Sequence, residues 1–438
     1  MNSTGFRTND APRPDEFMSC IKCGLCLPSC PTFQQTGLEE ESPRGRVQLI
    51  TSVAQELIPL SDGPLADTLF SCLDCRACEI ACPSGVPIGT LIEKGRAEVV
   101  AMQKDQERLS TGTKLTQRVI QWLMPHPQRL RRIGRFLRLL QRMRMTRLAR
   151  FVPGLPDSMR QFAQHLHPLP PKTGREMLPK VPNIQENGEA TSVSLFLGCV
   201  MDVIFADANR ATQRVLTRNH CAVSVPDGQV CCGALSIHAG DREGARRLAR
   251  KNIDAFLANP PQYIATNAGG CGAALLEYPD WLRDDPEYYP KAQHFATMVK
   301  DATQILDAVG FIPPTGTLSD KVTYQGSCHL HNVMKVGNLP EQLLQSIPGL
   351  YYQPMRDVTR CCGSAGIYNL THPDMAQQLL QRKMEDIPHG STCVATANPG
   401  CWMQMEYGSA TIGPKVAVRH VMELLDAAYD AGERMSSP

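Results

Sequence analysis

Short apolar runs alternate with amphipathic segments along the C-terminal half of the chain. The runs VSLFLG (193–198), CAVSVP (221–226) and YIATN (263–267) have the length and composition of buried strands. Between them, the stretch 206–219 and the stretch near 237–257 repeat apolar residues at helical spacing. Strands that alternate with helices in this way predict a mainly parallel sheet.

This pattern occurs twice, and cysteines mark each copy. The first copy carries Cys199, Cys231, Cys232 and Cys271, and the second carries Cys328, Cys361, Cys362 and Cys401. Matching cysteines lie 129 or 130 residues apart, and a CCG triplet stands at the centre of each copy. Open α/β sheets place ligands in loops at the carboxyl ends of their strands, so we expect each set to form a metal or redox site. Buried structural thiols are the alternative, and we assign that role to the unmatched Cys221 and Cys393.

The N-terminal part contains two further cysteine runs of identical spacing. They are Cys20-x2-Cys23-x2-Cys26-x3-Cys30-Pro31 and Cys72-x2-Cys75-x2-Cys78-x3-Cys82-Pro83. In bacterial two-cluster ferredoxins, three cysteines of such a run bind one [4Fe–4S] cluster and the fourth binds the other. The predicted ligands are therefore Cys20, Cys23, Cys26 and Cys82 for the first cluster, and Cys72, Cys75, Cys78 and Cys30 for the second. Zinc is the alternative, but zinc sites take ligands in pairs rather than two copies of this run.

The composition favours metal binding over disulfides. The chain has 438 residues, 18 cysteines and a net charge of +2. Its first residues are polar, with no apolar segment of the kind found in signal peptides, and no apolar run predicts a membrane-spanning helix. Many cysteines without a secretion signal indicate metal ligands. We expect a cytoplasmic protein, either free or peripheral on the cytoplasmic face of the inner membrane.

A basic segment separates the two cysteine-rich parts. Between Lys114 and Arg150 there are eleven Lys or Arg residues and no Asp or Glu, and apolar residues from Leu130 to Leu148 recur at helical spacing. The segment is predicted to be a cationic amphipathic helix. It could contact an anionic membrane, dock on an acidic partner subunit, or cover the chain's own core. Nucleic acid is not an expected partner, since aromatic interleaving and known binding motifs are absent. The Pro-rich stretch 153–182 is predicted to be an extended tether.

Between the first two cysteine runs lies Ser42-Pro43-Arg44-Gly45-Arg46. The simpler interpretation is a helix start, with Ser as the N-cap and Pro in the first turn. The alternative gives Arg44 or Arg46 a role beside an anionic cluster.

Together these motifs resemble the iron–sulfur subunit of glycolate oxidase. The resemblance runs from about Cys20 to Leu425. Its most specific stretches are SPRGR (42–46), CLDCRACEIACPSGV (72–86), CCGA (231–234) with the following His238, CCGSAG (361–366), LTHPDMA (370–376) and NPGC (398–401). The wider group includes the catalytic subunit of heterodisulfide reductase and the iron–sulfur subunit of anaerobic glycerol-3-phosphate dehydrogenase.

One departure from the wider group concerns the end of each repeat. Many members have CxxC there, whereas this chain has Ala268 and Asn398 in place of the first cysteine. Resemblance to heterodisulfide reductase implies an open cluster held by five thiolates, and each copy here offers four. The departure counts against thiol–disulfide catalysis at the CCG sites and leaves their cluster type open. His329 and His331, beside Cys328, are expected next to the site or at the surface.

The resulting expectation is a mixed fold, with a helical two-cluster ferredoxin-like domain followed by two tandem α/β CCG domains. The predicted boundaries are a flexible tail (1–16), the ferredoxin-like domain (17–110), the basic helix and linker (111–190), and the CCG domains (191–317 and 318–438).

The resemblance implies an electron-transfer subunit of a multi-subunit, flavin-dependent 2-hydroxy acid dehydrogenase. A FAD-binding subunit would oxidise glycolate to glyoxylate, and the clusters would pass the electrons to a quinone or another acceptor. The chain has no Walker loop, dinucleotide-binding fingerprint or nucleophile elbow, so we do not expect it to bind FAD itself. Related relays for lactate or glycerol 3-phosphate are alternatives.

Overall fold

The computed structural model describes residues 5–60, 63–143, 167–179 and 190–436. Its helices, numbered in chain order, are α1 (Pro14–Phe17), α2 (Pro31–Thr36), α3 (Pro43–Ala54), α4 (Pro64–Phe70), α5 (Ala77–Ile80), α6 (Ile88–Asp105), α7 (Thr111–Leu123), α8 (Pro127–Arg142), α9 (Gly174–Met177), α10 (Val200–Val203), α11 (Ala206–Arg218), α12 (Ala234–His238), α13 (Arg242–Leu257), α14 (Gly269–Leu276), α15 (Tyr278–Trp281), α16 (Tyr288–Met298), α17 (Ala302–Val309), α18 (Cys328–Asn332), α19 (Leu339–Gln345), α20 (Tyr368–Thr371), α21 (Pro373–Glu385), α22 (Pro399–Thr411) and α23 (Val421–Ser436). The strands are β1 (Thr191–Leu195), β2 (Cys221–Ser224), β3 (Tyr263–Thr266), β4 (Val299–Asp301), β5 (Lys321–Tyr324), β6 (Tyr351–Tyr352), β7 (Cys393–Thr396) and β8 (Ala417–His420).

The chain forms two compact units, and neither is a single stretch of sequence. The first unit comprises Met1–Trp122, Gly233–Ala245 and Gly363–Leu379. The second comprises Leu123–Cys232, Arg246–Cys362 and Leu380–Pro438. The segment that follows each CCG cysteine pair therefore belongs to the first unit, together with the N-terminal cysteine runs.

Helices α1 to α7 make up most of the first unit. Its core is apolar and includes Val47 and Ile50 from α3 and Leu91 and Ile92 from α6, all buried. The N-terminus of α3 is capped by Ser42, whose Oγ accepts a hydrogen bond from Gly45 N at 3.0 Å. The predicted helix start in the SPRGR stretch is thus confirmed.

Segments distant in sequence complete the first unit. The side chain of Gln117 in α7 donates to the carbonyl of Ala239 at 3.1 Å. Arg242, at the start of α13, forms an ion pair with Asp10 at 3.1 Å. The backbone amide of Thr8 donates to Glu98 at 3.0 Å. The prediction of a loose tail through residue 16 is therefore wrong for residues 7–10. Glu98 and Arg242 hold this stretch, and both lie too far along the sequence for a local pattern to reveal the contacts.

Each CCG repeat in the second unit contains a four-stranded parallel sheet. The strand orders are β2-β1-β3-β4 and β6-β5-β7-β8, so the two sheets have the same topology. This confirms the predicted parallel sheets and the repeat. The predicted long helix near 237–257 is instead two helices, α12 and α13. Gly240, with φ +74° between them, lies so close to α6 that an added Cβ would approach Val100 Cγ2 to 2.8 Å.

The two repeats share one apolar core, in which Cys221 and Cys393 are buried. A polar link also joins the repeats at His420, which is fully buried. Its Nε2 donates to the carbonyl of Asn267 at 2.8 Å, and its Nδ1 accepts from Met422 N at 3.1 Å. Burial lowers the pKa of His420 to about 4, because the charged ring would lose its hydration.

The basic segment forms two helices rather than one, because Pro125 and Pro127 interrupt the hydrogen-bond ladder between α7 and α8. Arg131 of α8 forms an ion pair with Asp202 at 2.8 Å within the second unit. Phe136 and Leu139, on another side of α8, are exposed. The predicted helical residues beyond position 143, and most of the predicted tether, lie outside the described residues. Within the described ranges, no helix is both long and apolar enough to cross a membrane.

Candidate iron–sulfur sites

Four predicted ligands line one cavity in the first unit. Cys72, Cys75, Cys78 and Cys30 all border it, although Cys30 comes from the other run. Cys30 is placed there as the N-cap residue of α2, whereas Cys72 and Cys75 lie on the loop between α4 and α5 and Cys78 lies in α5. The exchange of fourth ligands between the runs is therefore what the geometry favours for this site, which we call the second-cluster site.

The loops of the two runs share an unusual backbone conformation. Lys22 and Asp74, each just before the second cysteine of its run, have φ near +55°, at 57° and 51°. Gly24 and Arg76, each just after that cysteine, also have positive φ, at 85° and 60°. A non-glycine residue is strained there by about 1 kcal/mol or more. The matching φ values show that both runs adopt the same sharp turn around their second cysteine.

Ion pairs hold Arg76 in this strained turn. Its guanidinium contacts Asp74 at 2.8 Å, Glu79 at 3.1 Å and Glu93 at 2.7 Å. Asp74 and Glu93 are buried, as is Arg76 itself. His238, from α12, places its Nδ1 3.5 Å from the Asp74 carboxylate. This charged network lies directly against the second-cluster site.

Arg46 supplies a buried positive charge beside the same cavity. Its Nη1 lies 3.8 Å from Cys30 Sγ, and its Nη2 pairs with Glu41 at 2.6 Å. Although burial alone would lower it, the pKa of Arg46 is raised, because Cys72, Cys30 and Glu41 surround it. The alternative interpretation of SPRGR is thus supported by the geometry, alongside the helix cap.

Burial opposes ionisation of the thiols at this site. It raises the pKa of Cys72, and it raises that of Cys78 well above the usual value with help from Cys75, Cys72 and Cys30. Ligation requires thiolates, so metal must displace these protons. The Arg46 guanidinium offsets part of the resulting negative charge.

The first-cluster site is more exposed. Burial raises the pKa of Cys26, and the neighbouring Cys20 and Cys82, from the two different runs, act in the same direction. Cys23 is at the surface. Arg44 lies close by, with Nη1 3.4 Å from the carbonyl of Lys22 and an ion pair to Glu39 at 2.7 Å.

These donor sets suit cubane clusters. In a cubane each iron takes one thiolate, so four sulfurs surround a volume rather than converge on one atom. Within the described residues, no group of three or more His, Cys, Asp or Glu side chains is arranged so that it could hold a single metal ion. When bound, the clusters supply one-electron carriers, and the chain's residues set the charge and polarity around them.

In the first CCG repeat, the structure brings all four predicted cysteines together. The pKa of Cys199 is raised well above its usual value by its hydrogen bond with Cys231 and by burial. Cys232 interacts in turn with Cys231, Cys271 and Cys199. The Tyr278 hydroxyl donates to the carbonyl of Cys232 at 3.0 Å and so fixes the backbone of the pair.

In the second CCG repeat, three of the four cysteines are in contact. Hydrogen bonds with Cys361 and Cys401, together with burial, raise the pKa of Cys362 well above its usual value. Cys328 begins α18, and its Sγ lies 3.8 Å from His329 Nδ1. His331 is exposed. The charge of the buried Lys383 also acts to lower the pKa of Cys401.

Asn398 connects the two CCG sites. It stands at one of the positions where other members of the wider group have a cysteine. Its Nδ2 donates to Cys401 Sγ at 3.4 Å, and its Oδ1 accepts from Gly270 N, next to Cys271, at 3.0 Å. The pKa of Cys401 is lowered by its hydrogen bond with Cys362 and by this amide donor. Ala268, at the other departure, is buried in an apolar cluster that also contains Cys401.

Comparison with known proteins agrees with this geometry. A family described as "4Fe-4S dicluster domain" matches residues 16–86, and one described as "Cysteine-rich domain" matches residues 193–276 and 322–406. A probable glycolate oxidase iron–sulfur subunit of Bacillus subtilis (strain 168) is 38% identical over 432 residues, covering 96% of this chain and 95% of that protein. The chain belongs to the glycolate oxidase iron–sulfur subunit family.

Two other relatives show how far the family extends. The glycolate oxidase iron–sulfur subunit of Escherichia coli (strain K12) is 30% identical and covers 94% of both chains. Lactate utilization protein A of Shouchella clausii (strain KSM-K16) is 29% identical over 54% of this chain and 99% of its own length. Family membership makes the chain an iron–sulfur electron-transfer subunit of an oxidoreductase complex with two [4Fe–4S] clusters, and the CCG domains are consistent with further iron–sulfur binding.

Sequence reasoning did not find the charged network around Asp74 or the place of His238 in it. The only signal was that His238 falls in a stretch that carries the family resemblance. Its contact with Asp74 joins residues more than 160 positions apart, which no local pattern encodes.

Proposed function

We propose that the chain relays electrons from a FAD-binding partner subunit, which oxidises glycolate to glyoxylate, to a quinone. Oxidation of glycolate releases two electrons and two protons. Each cluster carries one electron at a time, so the relay accepts the pair in two steps. The observation that supports this proposal most is similarity to glycolate oxidase iron–sulfur subunits over nearly the whole chain, including both cysteine runs and both CCG repeats.

The first-cluster site is the proposed point of electron entry. Met18, Ile21 and Leu25 are large apolar residues on or next to its cysteine loop, and all are exposed. Cys23 is exposed between them. Exposed apolar side chains grouped around a redox centre suit a partner protein that must bring its flavin close.

The relay is tested with the purified complex under anaerobic conditions. Glycolate should first reduce the flavin and then the clusters. Cluster reduction is monitored by the loss of absorbance near 400 nm and by electron paramagnetic resonance. Flavin reduction with clusters that stay oxidised would refute the relay.

The docking surface is tested by placing a charge on it. Ile21→Glu should slow flavin-to-cluster transfer, because a buried unpaired carboxylate destabilises the interface. Leu57→Glu, at another exposed apolar position of the same unit, is the matched control and should transfer electrons at the wild-type rate. Equal rates for both variants would place the partner elsewhere.

Lactate is the second candidate substrate, because lactate utilization proteins resemble half of the chain. The same complex distinguishes the two: whichever hydroxy acid reduces the clusters at the lower concentration is the substrate. The partner subunit determines this choice, since the substrate binds there.

We also propose a peripheral position on the cytoplasmic face of the inner membrane. On α8, the exposed Phe136 and Leu139 lie among Arg132, Arg135 and Arg142, a combination that suits an anionic lipid surface. The holoprotein should sediment with vesicles rich in phosphatidylglycerol and remain free with phosphatidylcholine vesicles. Phe136→Asp should abolish the sedimentation, whereas unchanged sedimentation would contradict the proposed contact.

A further inference from the structure

A cavity of about 420 Å³ opens in the first unit, next to the second-cluster site. Cys72, one of the assigned cluster ligands, forms part of its wall together with Leu73. The remaining wall comes from α7 and from the two segments that follow the CCG motifs, including His238, Tyr368 and His372. Its volume lies within the range of about 300–1,000 Å³ that small-molecule sites occupy.

The lining combines flat apolar surface with a few polar groups. Phe70, Leu73 and Ile367 supply apolar contact, and Arg96 lies at 5.5 Å over the Phe70 ring. The Tyr368 and His372 rings stack at a centroid distance of 4.5 Å with an interplanar angle of 13°. Burial, aided by Arg96, lowers the pKa of His372, so its ring is neutral near pH 7 and carries a single N–H donor.

We propose that this cavity binds the headgroup of a quinone and is where the relay discharges its electrons. A quinone is a flat ring with two carbonyl acceptors, which matches apolar walls that carry imidazole and phenol groups. An acceptor in the cavity would touch Cys72 and so lie next to the second cluster. This inference rests on the proposed relay to a quinone and names its site.

The surroundings of the cavity suit a ligand that arrives from a membrane. Helix α7 lines the cavity with Thr113, Thr116 and Gln117. On its other side, α7 exposes Leu115, Val119 and Trp122, which recur at helical spacing as one apolar stripe. A helix with such a stripe can rest in the lipid interface, where quinones and their isoprenoid tails are dissolved.

The reaction balances with groups of this site. Reduction of a quinone to a quinol takes two electrons, which arrive one at a time through the Cys72 wall as the relay is refilled from the oxidised hydroxy acid. It also takes two protons, which reach the two quinone oxygens from bulk water. His372 lies at the cavity wall and is only partly buried, so water reaches the wall there.

Binding is tested first, with an azido-quinone on the oxidised full-length protein carrying its clusters. After illumination, peptides should carry the label in residues 110–117 and 365–372. Thr116→Trp, which fills the cavity from α7, should remove the label. Thr111→Trp, exposed on the same helix and outside the cavity wall, should keep it. Label elsewhere, or label unaffected by Thr116→Trp, would overturn the assignment.

Electron transfer is tested separately from the hydroxy acid. The clusters are reduced with dithionite, excess reductant is removed, and decylubiquinone is added in a stopped-flow instrument. Thr116→Trp should slow reoxidation by quinone about tenfold or more but leave reoxidation by ferricyanide unchanged. Thr113→Trp serves as a second blocking variant if the first does not fold.

Unchanged quinone rates in a folded blocking variant would refute the site. Failure of glycolate to reduce the clusters, with the quinone result intact, would refute only the proposed substrate relay. The two failures are therefore distinguishable.

Discussion

Replacement of Arg46 tests whether a buried cation sets the potential of the second cluster. Arg46→Gln keeps the side chain polar and close in size while it removes the charge. The guanidinium is almost fully buried, at 1% exposure, and lies 3.8 Å from Cys30 Sγ. Reduction adds negative charge to the cluster, and the nearby Arg46 cation stabilises that charge. Loss of the cation should therefore lower the reduction potential of the cluster.

The size of the shift follows from Coulomb's law. With an effective dielectric constant of about 20 and roughly 8 Å between the guanidinium and the centre of the added charge, the interaction is about 2 kcal/mol. For a one-electron couple, about 59 mV corresponds to about 1.4 kcal/mol, so the upper estimate is about 90 mV. The Glu41 carboxylate, paired with Arg46 at 2.6 Å, offsets part of it, and we expect a drop of about 50–90 mV.

The assay is a redox titration of the holoprotein monitored by electron paramagnetic resonance. Arg44→Gln is the control, because Arg44 lies beside the first-cluster loop and is partly exposed. It should shift the first cluster slightly and the second not at all. If Arg46→Gln left both midpoints unchanged, or raised the second, electrostatic tuning by this residue would be refuted.

Three further predictions concern stability. His420 has a folded-state pKa of about 4, below its unfolded value of 6.5, so its contribution to the free energy of unfolding is lost as the pH falls from above 6.5 toward 4. Denaturant titrations should show about 2 kcal/mol less stability at pH 5 than at pH 7 from this group. The difference should be absent in His420→Gln. Ser42→Ala removes an N-cap and should lower the free energy of unfolding by about 1 kcal/mol, whereas Ser42→Thr should retain most of it. Gly89→Ala would place a Cβ 2.0 Å from Arg76 Nε, and displacement of this buried cation from its carboxylates should cost about 3 kcal/mol or more. Gly112→Ala, where an added Cβ meets only Ser110 Oγ at 3.8 Å, should be neutral or stabilising, and equal effects for the two glycine variants would contradict the packing argument.

Much of the fold could be predicted because local periodicity is strong. Strands such as β1 and β3 are buried apolar runs, and their parallel pairing follows from the helices between them. The strands β4 and β6 were not predicted, since three and two residues respectively are too few to show a pattern. The break between α7 and α8 was available in the sequence, as two prolines, but the basic and apolar spacing on both sides concealed it.

At the cluster sites too, features encoded by local sequence could be predicted and features that depend on tertiary packing could not. The cysteine spacing, read as that of a bacterial two-cluster ferredoxin, predicted that Cys30 would join Cys72. The charges that surround these thiols could not be predicted. Arg76 contacts Glu93 and His238 contacts Asp74 across long sequence separations, and such pairs depend on how helices pack rather than on any local motif.

The interleaved first unit has a consequence for biogenesis. Because Gly363–Leu379 belongs to it, the unit cannot be complete until the ribosome has made most of the chain. The four ligands of the second-cluster site lie within the first eighty residues, and they would wait without His238 and Tyr368 in place while the repeats are synthesised. Iron–sulfur delivery to that site should therefore be a late event, and chains truncated before residue 363 should mature with a labile second cluster.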